Sequence, residues 1–423
     1  MTSGLSVLSD APAGSAGDRL EFSRYIAALT EVIMNDATET PFTVGVFGAW
    51  GSGKSSLLKM LNEGLASDHA DDVVRVDFNP WIYRREPSML IPLLLTLQDS
   101  LKRDPKKRFL EAAARVGFLL AKVTAGVLLG RISSAGVTLD SIDRLAEEVV
   151  HKRGEVESET RNLRAALQEQ ADNVKKGGAR LVFFIDDLDR CEPDEIIDLL
   201  ESIKLFLDLS NVFIVIAVAK DVVDRGIAYK YRDFGFSADK VMMVGDEYLD
   251  KMIQLPLYIP PIDVGVIGQF MDGFSLPDAV RDQVDLLQQI VSPNPRRIKR
   301  VLNACTVTYA ITERSPGLRD LRQDLVARLA VLRVQSAELF AAITRSPDLL
   351  VALELAYQDK LGDLRSTSGF TTRFGAERAE AMQKAVGRFH GSQDYLSQVF
   401  EHSDFDAVAH DLPLYLTMLG GGS

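Results

Sequence analysis

Eight consecutive residues, Gly48-Ala49-Trp50-Gly51-Ser52-Gly53-Lys54-Ser55, follow the pattern of a glycine, four free positions, a second glycine, a lysine and a hydroxyl residue. These residue types suit a polyphosphate. Glycines let backbone N–H groups close around phosphate oxygens, and a helix starting at the loop adds the positive end of its dipole. Lys54 supplies a charge to the β- and γ-phosphates, and the Ser55 hydroxyl is a ligand for Mg²⁺. The phosphate-binding set is therefore Gly48, Ala49, Trp50, Gly51, Ser52, Gly53, Lys54, Ser55 and Ser56. A second set of oxygens comes from ARLVFFIDDLDRCEP, residues 179–193. Asp186 would join Ser55 in the Mg²⁺ shell, and Asp187 is placed to take a proton from, or align, an attacking water. Asp189 lies already in the following turn.

Those groups need elements to hold them. An apolar, β-branched run over Thr43–Phe47 precedes the loop, and Leu57, Leu58, Leu61 and Leu65 recur behind it at helical spacing. This is the strand, loop and helix context that the phosphate-binding pattern requires. The apolar residues before Asp186 describe a strand buried on both faces, whose carboxylates emerge at the carboxyl edge of a parallel sheet. Further strands are expected at 73–78, 212–218 and 253–259. A strand thus lies in sequence between the strand that enters the phosphate loop (the Walker A motif) and the strand that ends at Asp186 (the Walker B motif), which predicts that those two are not neighbours in the sheet. Asp221, just past 212–218, is then a candidate γ-phosphate sensor.

Two more blocks carry candidate residues. In FNPWIY, residues 78–83, Asn79 and Pro80 end a strand, and Trp81 with Tyr83 is expected to pack a loop against the sheet. In NPRRIKRVLN, residues 294–303, the cations Arg296, Arg297, Lys299 and Arg300 open a helix, where they oppose its dipole unless an anion compensates. A bound phosphate would do so, with Arg296 or Arg297 reaching it from a helical lid or a neighbouring subunit. Arg190 is a second candidate for that contact.

The chain is long enough, at 423 residues, for two or three domains, and 46% hydrophobic with 26% charged residues is a globular mixture. Two cysteines exclude a disulfide scaffold and a cysteine-rich zinc site, which makes a reducing cytoplasm the expected compartment. His390, His402 and His410 have no ligand spacing. A net charge of −12 argues against a nucleic-acid-binding surface, so any such contact would be local. Between Leu101 and Val137, however, eight basic residues face two acidic ones, around the 15-residue apolar stretch 116–130. That stretch is shorter than the ~20 residues of a spanning helix and contains Lys122. A buried helical hairpin is the favoured expectation. It would be covered by the apolar stripe of residues 138–178, and contact with a membrane surface is the rival reading. Residues 1–17 read as a loose tail without secretory character.

Taken together, FGAWGSGKSS, FNPWIY, FFIDDLDRCEP, YLDKMIQLPLYIP (248–260) and NPRRIKRVLN, in that order over about 260 residues, resemble the KAP family of P-loop NTPases, relatives of the STAND and AAA+ groups. The resemblance implies an α/β fold with a RecA-like core and a parallel sheet, a helical insertion between the Walker motifs, and binding and hydrolysis of ATP with Mg²⁺. The expected layout is a tail at 1–17, core at 18–100, insertion at 101–178, core at 179–262, lid at 263–310 and an all-α region at 311–423. Many family members carry transmembrane helices in the insertion, for which the segment here is too short. Bacterial members resemble components of antiphage defence. The expected function is an ATPase whose turnover drives or gates conformational change or assembly, with protein partners or self-assembly through the helical regions. The alternative is a nucleotide-gated scaffold with little hydrolysis.

Overall fold

The computed structural model describes residues 5–84, 89–101, 160–230, 243–244, 247–315, 318 and 321–420. The basic, apolar segment 101–137 lies, beyond Leu101, outside the described residues, and with it the expected hairpin and any membrane contact. No helix among the described residues is long and apolar enough to cross a membrane. The chain divides into two compact units, Pro12–Pro260 and Met1–Ala11 with Pro261–Ser423.

The first unit is built on five parallel strands, β1 (Phe42–Phe47), β2 (Val73–Phe78), β3 (Arg180–Ile185), β4 (Val212–Val218) and β5 (Leu255–Tyr258), in the order β2-β3-β4-β1-β5. β4 stands between β1 and β3, so the strands feeding the two motifs are not neighbours, as the intervening strand predicts. Their composition explains their placement. Every residue of VFIVIAV in β4 is buried, as both faces of a central parallel strand must be. The edge strand β5 alternates between partly buried and exposed residues and carries Pro256, which can take an edge position because it lacks a ladder donor. The sequence pattern placed this strand at 253–259; the structure confines it to Leu255–Tyr258, with Gln254 joined to Thr43 both by its backbone N–H, at 3.0 Å, and by its side-chain oxygen, which accepts from the Thr43 N–H at 2.7 Å.

Alternation along the strands sends side chains into two cores. Phe183, Ile185, Ile214 and Ile216 pack with the helices Leu90–Ser100 and Pro193–Phe206 on one face. Val182, Phe184, Val44 and Val46 pack with the helices Ser23–Met34 and Lys54–Asp68 on the other. The described part of the expected insertion, a helix over 160–176, belongs to the first of these cores: Leu163, Leu167 and Ala171 are fully buried there. This described part of the apolar stripe packs in the sheet layer; the rest of it, before residue 160, lies outside the described residues. In-register pairs Phe78 with Ile185, Ile185 with Ile216 and Phe47 with Val218 bring four strand ends to one carboxyl edge.

The second unit is helical. The helices Gln323–Gln335 and Asp348–Tyr357 supply unbroken buried stretches, 325–332 and 349–356. The lid boundary drawn at 310 falls inside one continuous helix, Pro295–Arg314, which packs on Gln323–Gln335. The polar stretch STSGFTTRFG, residues 366–375, contains the helix Ser368–Phe374, because burial of Phe370 outweighs the weak propensity of its serines, threonines and glycine. Within the expected loose tail, Leu8 is held: in this unit, the Asn303 side-chain amide exchanges two hydrogen bonds with the Leu8 backbone, at 2.6 and 2.7 Å. In the other unit, the Ala13 N–H donates to Ser56 Oγ at 3.0 Å and Ser15 N–H to Glu63.

Candidate functional site

The loop after β1 has the backbone of a phosphate cradle. Gly51 and Gly53 take φ of +85° and +108°, a region that L side chains rarely adopt. At Gly48 a Cβ would lie 2.5 Å from Ser52 Oγ, so a larger residue here would have to displace the Ser52 hydroxyl. Ser52 is buried, and its hydroxyl has no hydrogen-bond partner. Lys54 opens the following helix with its side chain buried, and its ammonium donates to the Gly48 and Ala49 carbonyls at 2.9 and 3.2 Å. A buried cation, an orphaned hydroxyl and backbone held open by glycines make a donor-rich hollow that suits an anion. Trp50 stands 65% exposed at the loop's tip, and Ser56, expected among the phosphate ligands, is engaged by Ala13.

The two carboxylates meet this loop from β3. The Ser55 hydroxyl donates to Asp186 Oδ1 at 3.1 Å across 131 residues of sequence. Asp186 also accepts from the Asp187 N–H at 2.8 Å. Burial pushes the Asp186 carboxyl above the usual aspartate range, and the nearby charges of Asp187 and Asp189 add to that, against the two hydrogen bonds. An anionic Asp186 is therefore costly without a cation beside it. A hydroxyl and a carboxylate in contact are a donor set for a hard divalent ion, and Mg²⁺ fits it. Beside this pair opens a cavity of about 430 Å³, lined also by Asp77, Asn79 and Tyr83.

Asp187 sits just past the strand with φ +58°, left-handed backbone that aspartate tolerates better than most residues. Asn79, at the end of β2, donates from its side-chain amide to Asp187 Oδ2 at 2.9 Å, and Arg190 Nε lies 2.8 Å from Oδ1. Neither partner was read from the sequence in that role, although both signals are there. Phe78 and Ile185 are in register, which puts the residues after them at one edge, and Asp187 and Arg190 are spaced for a side-chain pair on one turn. Arg190, the second candidate for a phosphate contact, is thus paired with Asp187. Trp81 also departs from expectation. Tyr83 stacks on Phe78 at 5.6 Å, but Trp81 is 38% exposed and takes the guanidinium groups of Arg190 and Arg84 at 5.3 and 5.6 Å from its ring centre.

Three candidates remain, Asp221, Arg296 and Arg297. Asp221 lies on the exposed first turn of Lys220–Lys230 and pairs with Arg225 at 2.8 Å, one helical turn on. Arg296 and Arg297 belong to the helical unit. There Asn294 caps the helix by accepting from both of their N–H groups. The anion that offsets the basic turn is Asp10, 2.9 Å from Arg300 and 3.9 Å from Arg296.

A model of the KAP family P-loop domain matches residues 22–312. The chain is 24% identical over 331 residues to the phage T7 exclusion protein of Escherichia coli strain K12, an alignment that covers 72% of this chain and 40% of that protein. Over 52 residues, 12% of this chain and 3% of the relative, it is 38% identical to the human kinase D-interacting substrate of 220 kDa. The chain thus spans 40% or less of the length of these relatives. Among solved structures, the Aeropyrum pernix ORC2 protein aligns with 94% of this chain and 93% of its own at 13% identity and a TM-score of 0.37. The family match covers more than half of the chain and takes in the phosphate loop, both carboxylates and all five strands. On that match, the chain belongs to the KAP family of P-loop NTPases.

Proposed function

We propose that the chain binds ATP with Mg²⁺ in the loop Gly48–Ser56 and hydrolyses it. The observation that supports this reading best is the 3.1 Å hydrogen bond between Ser55 and Asp186, which joins the phosphate loop to the carboxyl end of β3. Ser55 and Asp186 would hold Mg²⁺, which, when bound, supplies positive charge to the phosphate oxygens. The Lys54 ammonium would exchange its two loop carbonyls for phosphate oxygens, and the loop N–H groups with the Ser52 hydroxyl would complete the cradle. Asp187, held by Asn79 and Arg190, would orient the attacking water and take its proton.

Turnover would drive or gate a conformational change or an assembly step in the helical parts, in a cytoplasmic setting that suits the free thiols Cys191 and Cys305. The name of the Escherichia coli relative, a phage exclusion protein, supports a role in antiphage defence. Phosphate release by the purified chain, with Mg²⁺ and with chelator, tests the chemistry. Mg²⁺-dependent release that is lost in Lys54→Ala is the expected result. Tight nucleotide binding without release, with and without candidate partners, would instead make the chain a nucleotide-gated scaffold.

A further inference from the structure

The loop after β2 supplies Asp187 with more than one support. Asn79 donates to Oδ2, and the oxygen of the same Asn79 amide accepts from the Trp81 N–H at 3.1 Å. Arg190 donates to Oδ1 and lies over the Trp81 ring. Donors at both oxygens fix the rotation of the carboxylate as well as its position, and both donors lean on Trp81. The Arg190 side chain is 40% exposed, and an ion pair so open to water holds geometry poorly by itself. An aromatic face under the guanidinium restricts it where charge alone would not. The short turns Pro80–Tyr83 and Leu188–Arg190 pack on one another, so the arrangement joins two backbone segments.

We propose that Arg190, braced on Trp81, is a positioning residue that holds the Asp187 carboxylate in its working orientation, so that the turn Pro80–Tyr83 controls hydrolysis. The proposal rests on the hydrolytic role of Asp187 given above. Arg190 then acts on the reaction through Asp187, with no phosphate contact of its own.

The sequence contains two tryptophans, Trp50 and Trp81, which gives a readout that needs no nucleotide. In a Trp50→Phe background, Trp81 emission should shift on Arg190→Gln and, because the arginine loses its anchor, on Asp187→Asn as well. Emission that neither change alters would overturn the proposal. In steady-state kinetics, Arg190→Gln and Trp81→Ala should each lower kcat by about tenfold while KM stays within about twofold, as for loss of orientation rather than binding. Combining them should cost little more than either alone, because they act on one group. Trp81→Phe, which keeps an aromatic face and preserves folding, should retain most of the rate. If Asp187→Asn abolishes turnover while Arg190→Gln leaves kcat unchanged or raises it, the positioning role is wrong and the hydrolytic reading stands. If Asp187→Asn turns over normally, the hydrolytic role of Asp187 falls, and this proposal falls with it.

Discussion

Gly53 stands against the ring of Phe22: a Cβ at Gly53 would meet the Phe22 Cε2 and Cζ atoms at 3.0 Å, and the backbone there has φ +108°. Two separate costs therefore fall on Gly53→Ala, left-handed strain and overpacking against a residue that is 3% exposed. Together they should destabilise the unit by roughly 2–4 kcal/mol and misplace the loop. Denaturant unfolding and nucleotide titration of the variant should both show the loss.

Lys54→Ala should weaken ATP binding by about two orders of magnitude, the loss of charge-assisted contacts of roughly 3 kcal/mol. The ammonium is buried and already desolvated, so water does not replace it cheaply. Isothermal titration with a slowly hydrolysed analogue checks this, and unchanged affinity would remove the loop from nucleotide binding.

Asp187→Asn should keep nucleotide affinity, because Lys54, Ser55 and Asp186 remain, and should lower turnover by about 10² or more. Single-turnover phosphate release separates the two effects. A variant that lost binding and rate equally would mark Asp187 as a binding residue.

Asp186 makes the metal-free protein sensitive to pH. Its carboxyl is raised by burial, so the stability it contributes is fully present below the ordinary aspartate value of 3.8 and is lost as pH rises through the raised value. At neutral pH the wild-type protein thus bears the cost of a buried anion that Asp186→Asn does not bear. With chelator present, the variant should have the higher Tm at neutral pH, and the difference should narrow as pH falls. Stabilisation by Mg-ATP should be weaker in the variant.

In the helical unit, Glu354 is 1% exposed and accepts from the N–H groups of Phe405 and Asp406, at 2.7 and 2.8 Å, and from the Ser403 hydroxyl. Glu354→Ala leaves those donors buried without partners and opens a void. A loss of roughly 3–5 kcal/mol is expected by denaturant unfolding, with Glu354→Gln milder because it keeps an acceptor.

Local patterns carried most of the core. The strand run of β4 could be placed to the residue because a parallel strand buried on both faces is a continuous apolar stretch, and the glycines and Lys54 of the phosphate loop are demanded by local backbone geometry. That β1 and β3 are not neighbours was also expected, but chain order does not say which strand parts them: β4, which follows β3 in the chain, stands between them, while β2 takes the edge. Contacts between distant segments had no such local signature. That Asn79 and Arg190 both hold Asp187, that Trp81 faces arginines and not the sheet, and that the opening residues are tied to Asn303 and Ser56 all depend on which strand ends share an edge and which side chains are left near them. Residue type and spacing determine which chemistry is present. Tertiary packing decides which of several eligible cations and amides reaches a given carboxylate, because that choice rests on a few ångströms set by register across the sheet.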